Sequence, residues 1–156
     1  MQTRLQTLQR LVSVYGTVEE MHWAELQRMT KTVNEVQDAI EIEMQISNST
    51  RLEGKGALVN EDRIGWEIAE TRRARAGWRQ RDLERIQAEQ RALQVAAHDR
   101  YTASRLKSEQ IKSIAGDMRA RAEIEEQRRS QAASDDRFLA RKRWSDTRQK
   151  KRMLGK

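Results

Sequence analysis

Apolar residues recur at alternating steps of three and four from the start of the chain. With heptad position a at residues 5, 12, 19, 26, 33 and 40, that row holds Leu5, Val12, Glu19, Leu26, Val33 and Ile40. The matching d row at 8, 15, 22, 29, 36 and 43 holds Leu8, Tyr15, His22, Met29, Val36 and Glu43. Nine of the twelve positions are apolar, a stripe as narrow as a coiled-coil seam and narrower than the buried face of a globular helix. The spacing predicts a helix over about 2–46. From 47 to 60 the chain reads SNSTRLEGKGALVN, where side chains that compete for backbone hydrogen bonds and two glycines predict a loop. Asn60 is then the expected cap of a second helix over about 61–150, with Glu61 and Asp62 at the positive end of its dipole.

The second helix carries a thinner seam. Leu83, Ile86, Gln90, Leu93 and Ala97 keep a heptad, and Tyr101, four residues after Ala97, reads as a stutter. Ile111, Ile114 and Met118 resume the row, which weakens through Ala122, Glu125, Ala132 and Leu139. A kink is expected near Gly116 and the thinning seam that follows Met118. The expected fold is all-α: two long helices in an antiparallel coiled-coil hairpin, the second helix longer, forming a single elongated unit over 1–156 with a basic C-terminal end. At 1.5 Å of rise per residue, the second helix should overhang the chain start by about 40 residues. A two-helix seam of this kind is marginal alone, so a partner is expected to complete it.

Composition agrees with a seam in place of a core. Leu, Ile, Val and Phe make up about 18% of the 156 residues, a share that by itself points toward disorder; the periodicity decides for helix. Seven aromatics are too few for a sandwich, a barrel or a parallel sheet. No apolar run reaches a membrane span. The first eighteen residues hold Arg4 and Arg10 and no acid, which reads as the start of the first helix in preference to a transit peptide. The absence of cysteine excludes disulfides, thiolate metal sites and thiol nucleophiles and fits a reducing cytoplasm.

The net charge of +7 is local to one end. Residues 1–46 carry four basic and seven acidic side chains, whereas the last twenty residues carry nine basic groups against Asp146 alone. Such an end suits nucleic-acid phosphates, an anionic membrane surface or an acidic protein cavity. Only Phe138 and Trp144 are there to stack on bases and no nucleic-acid module is recognisable, so sequence-specific readout is not expected.

No catalytic constellation is legible in the sequence. No phosphate loop or nucleophile elbow occurs. His22 falls on the seam, His98 stands beside Asp99, and Glu41 and Glu43 point to different faces of a helix. No enzyme, cofactor or metal site is read. Trp23, Trp66, Trp78 and Trp144 stand out in so aromatic-poor a chain; Trp66 and Trp144 are candidate interface anchors.

Taken together, the Leu-rich heptad start from Arg4 to Tyr15, the turn about a third of the way along, the longer Arg/Glu/Gln/Ala-rich second helix and the ending SDDRFLARKRW (residues 134–144) resemble the stalk family of flagellar and injectisome type III export systems, the FliJ/YscO-like proteins. The resemblance implies a non-catalytic central stalk whose terminal end enters the pore of a hexameric export ATPase and whose loop side approaches the export gate. It places the protein in the cytoplasm, peripheral to the inner-membrane export apparatus, with export chaperones as further partners. Carried onto this chain, the ring contacts are Leu5, Leu8, Arg10, Arg141, Lys142 and Arg143. The gate contacts are Ile64, Trp66, Ile68, Thr71 and Arg75, where Thr71 departs from the family's small residue. A self-associating scaffold and a basic nucleic-acid-binding protein are the alternative readings.

Overall fold

The computed structural model describes residues 2–155, with the side chain of Gln2 excepted. It contains two helices, α1 (Gln2–Val59) and α2 (Arg63–Leu154), which run antiparallel as a hairpin, the second longer. The all-α expectation holds. The turn falls elsewhere than expected: α1 continues through the whole of 47–59, and three residues suffice to reverse the chain.

Small polar residues can serve a loop or a close-packed helix, and here they serve the helix. The α1 frame continues past Glu43 through Ser47, Thr50, Gly54 and Ala57, all sheltered. The Thr50 hydroxyl donates to the carbonyl of Ile46 at 2.8 Å, so its polarity is satisfied within the helix. A side chain at Gly54 would stand 3.4 Å from the Ala69 Cβ; small residues on both helices allow the backbones to approach.

The turn is a Schellman motif. Asp62 N–H donates to Ala57 O at 2.8 Å and Glu61 N–H to Leu58 O at 3.2 Å. Glu61 takes the left-handed conformation, φ 55°, where glycine is usual. Asp62 closes α1 and also opens α2: its Oδ1 accepts from Gly65 N–H at 2.9 Å and its carbonyl accepts from Trp66 N–H at 3.1 Å. The cap of α2 is therefore Asp62, not Asn60, whose own N–H makes the last helical bond of α1 to Gly56 O. A Cβ at Gly65 would crowd the capping carboxylate, which would have to turn aside.

The chain divides into two compact units. In the unit Tyr15–Lys107, α1 buries Leu26, Val33, Ile40 and Thr50, while α2 buries Ala69, Ala76, Gln87, Ala97 and Ser104. Large aliphatics on α1 thus meet small residues on α2. Cross-helix pairs set the register: Glu53 with Arg72, Glu43 with Arg79, Gln37 with Gln87, Thr30 with Gln94 and Glu25 with Arg100. From the first pair to the last, 28 residues back along α1 are matched by 28 forward along α2. All of the predicted α1 seam positions from 15 to 43 are sheltered.

The α2 frame differs from the expected one. Its sheltered row runs through 76, 80, 83, 87, 90, 94, 97, 101 and 104 in strict alternation of four and three, with no stutter at Tyr101. Gln87 and Gln94 occupy the row; Leu93 is exposed and Ile86 lies beside it. The larger apolar side chains stand on the adjacent row, and amide hydrogen bonds to α1 hold the glutamines inside.

The other unit combines α1 through Val14 with α2 from Ser108. Leu5, Leu8 and Val12 are half-buried on α1, and Ser108, Ile111, Ala115, Met118, Ala122 and Glu125 are sheltered on α2. Ile114, expected in the seam, is exposed. Ser108 is fully buried with its hydroxyl unbonded. From Glu126 to Gly155 every residue is exposed, Ala132 and Leu139 included, and α2 passes unbroken through Gly116.

Candidate functional site

Three surfaces collect the residues singled out by sequence. The first is the turn. Leu58, Val59 and Ile64 are exposed, Val59 at 82%, because the two helices end there and nothing covers their last apolar positions. Trp66 is partly sheltered beneath them and lines a shallow cleft of about 150 Å³ with Ala57 and Leu58. Ile64, Ile68, Thr71 and Arg75 follow one another at helical spacing on the outward face of α2, all exposed. The Thr71 hydroxyl donates back to the Glu67 carbonyl at 2.9 Å.

The second surface is the flank of α1 and α2 around Trp23. Its ring lies 5.1 Å from that of Tyr101, tilted by 50°, above an open cleft of about 380 Å³ that Gln94 and His98 help to line. His22 sits half-buried in the seam with Nδ1 3.7 Å from Glu25, and Glu25 also receives Arg100 at 3.2 Å. His98 is exposed beside Asp99. Trp23 meets Tyr101 across the hairpin and stays 47% exposed. Trp78 stays largely in solvent under the Arg81 guanidinium, 4.7 Å from its ring centre.

The third is the uncovered part of α2. Arg141, Lys142 and Arg143 are consecutive, as are Lys150, Lys151 and Arg152. At about 3.6 residues per turn, three neighbours in sequence point to three different sides, so positive charge surrounds the helix. The Trp144 ring is exposed with Arg148 stacked over it at 4.6 Å. The predicted ring contacts do not gather in one place: Arg10 is exposed, but Leu5 and Leu8 are half-buried seam residues, whereas Arg141, Lys142 and Arg143 lie well past Glu125, the last sheltered position. Sequence reasoning missed the girdling of the helix by charge, although the runs of consecutive basic residues carried that signal.

Among the described residues no helix is long and apolar enough to cross a membrane, and no cluster of three or more His, Asp or Glu side chains could hold a metal ion. Compared with known proteins, the chain matches no family model, no curated protein and no solved structure.

Proposed function

We propose that the protein is the stalk of a type III export ATPase: a protein-binding rod that seats its basic end in the ring of a hexameric ATPase and turns its apolar tip toward the export gate. The observation that carries this reading is the uncovered helix beyond Glu125, exposed throughout and basic on all sides. A flat anionic surface neutralises one side of such a helix; an acidic cavity that encloses it neutralises every side. Contacts of this kind are solvated and individually weak, which allows them to shift as a ring cycles. The tip supports the other half of the reading, because Val59, Ile64 and Leu58 form an apolar cap without a cover. The resemblance of the ending SDDRFLARKRW to flagellar stalks adds the partner's class.

The role is peripheral and cytoplasmic, with no catalysis by the rod itself. The test is the hydrolysis rate of a hexameric export ATPase at low salt with the rod added. Activation by the native chain, lost when Arg141, Lys142 and Arg143 are changed together to Glu, supports the proposal; an unchanged rate with the native chain overturns it. Competition by duplex DNA in the same buffer, decaying steeply with salt, would move the basic end to the nucleic-acid reading.

A further inference from the structure

The two flanks of the unit Tyr15–Lys107 are unlike. On one, Gln94 donates to the Thr30 hydroxyl at 3.1 Å and Gln87 to the Gln37 side-chain oxygen at 2.5 Å, so polar bonds bridge the helices beside the open cleft that Thr30 and Gln94 line. The other is bracketed by two ion pairs four heptads apart on each helix: Glu25 with Arg100 at 3.2 Å and Glu53 with Arg72 at 3.8 Å. Between the brackets the equivalent positions are Thr32, Ala39 and Ile46 on α1 and Leu93, Ile86 and Arg79 on α2. Ile42 lies one turn outward on the same side. Ile42 is 56% and Leu93 49% exposed, and Ala39, Ile46 and Ile86 are only half-covered. Interrupted by Arg79 and its ion pair to Glu43, this flank is a second apolar stripe that the hairpin covers only in part.

Charge says what fits it. From Tyr15 to Val59, α1 carries four basic and eight acidic residues; from Arg63 to Lys107, α2 carries eleven basic and six acidic. The unit is therefore polarised across its width, one helix negative and the other positive. A two-fold axis running along the hairpin sets α1 of each copy over α2 of the other at the same level. That arrangement superposes opposite charges and brings the stripe against itself, because equal levels meet. A two-fold perpendicular to the helices would set α1 on α1 and like charge on like.

We infer that this flank binds a second copy of the chain, two parallel hairpins forming a four-helix bundle centred on Ile42, Ile86 and Leu93. The inference uses neither the tip nor the basic end and stands apart from the stalk reading.

Cysteine chemistry tests it cleanly, since the chain has none of its own. Sedimentation equilibrium of the full chain at rising concentration should reach twice the chain mass. Ile42→Lys and Leu93→Glu, both at exposed positions, should weaken association at least about tenfold with helicity by circular dichroism unchanged. Under mild oxidation, a mixture of Thr32→Cys and Leu93→Cys chains should form the mixed disulfide in preference to either homodimer. A monomer at every concentration, a dimer indifferent to both charge substitutions, or homodimeric disulfides predominating would each overturn the inference.

Discussion

Arg79 places its Nε 2.9 Å from Oε1 of Glu43, and the other carboxylate oxygen of Glu43 is buried without a hydrogen-bond partner. Glu43 occupies a seam position that six heptads of pattern reserve for an apolar side chain, and its side chain is only 14% exposed. The pair depends on Arg79 far more than on Glu43, because removing the guanidinium leaves a sheltered charge unpaired. Arg79→Ala should lower unfolding stability by about 1–3 kcal/mol, whereas Glu43→Leu, which supplies what the seam favours, should be neutral or stabilising. Urea titrations followed at 222 nm compare the two; equal losses would show that the pair contributes as an ordinary surface bridge.

At the turn, two neighbouring residues should act with opposite sign. Glu61 stands in the left-handed region, where its Cβ costs about 1–2 kcal/mol, so Glu61→Gly should raise the melting temperature. Asp62 caps α2 through Gly65, and Asp62→Ala should cost about 1 kcal/mol. Thermal melts of the two variants decide, and a destabilised Glu61→Gly would rule out the Schellman geometry.

Close approach near the turn makes a third prediction. Ala76 has no exposed surface, and α1 carries the short side chains of Ser47 and Thr50 and none at Gly54 along its sheltered row. Ala76→Leu should cost about 1–3 kcal/mol by overpacking despite leucine's good helix propensity. A neutral result in denaturant titration would mean that the helices stand further apart.

Hydrogen exchange should report where the seam ends. Amides sheltered by packing open only with the unit that holds them, whereas a helix without a covering partner frays freely. Protection is expected to persist to about Glu125 and to fall sharply over 127–155. Uniform protection along α2 would show that the last thirty residues are covered, contrary to their exposure.

The parts of this architecture that were legible in sequence are those written in large aliphatics. Leu26, Val33 and Ile40 announced the α1 frame, and all three are buried. The segment 47–59 is ambiguous in sequence because Ser47, Thr50 and Gly54 are equally at home in a loop and where helices pack closely; the alanines of α2, 15–30 residues away in sequence, decide between the two. The α2 frame was drawn one row aside at Ile86 and Leu93 because hydropathy ranks them above Gln87 and Gln94. Burial followed hydrogen bonding across the seam instead, information that no single-helix pattern contains. Of the candidate contacts, the partial burial of Leu5 and Leu8 followed from their heptad positions and limits them as docking residues, while Ile64, Ile68 and Arg75 had no place in the heptad frame and their exposure was not legible from it.

The three-residue turn also sets the order in which the hairpin can assemble. Its cross-helix pairs are nested, from Glu53 with Arg72 nearest the turn to Glu25 with Arg100, 75 residues apart. Closing an outer pair first would require ordering a long span of chain at once, whereas each pair added outward from the turn shortens the loop that the next must close. Assembly is therefore expected to zip from Asp62, with the strained Glu61 at the point where it begins. Relief of that strain in Glu61→Gly should appear mainly as faster folding, with the unfolding rate little changed, so that a minor flaw in the finished hairpin would be read in how quickly the hairpin forms.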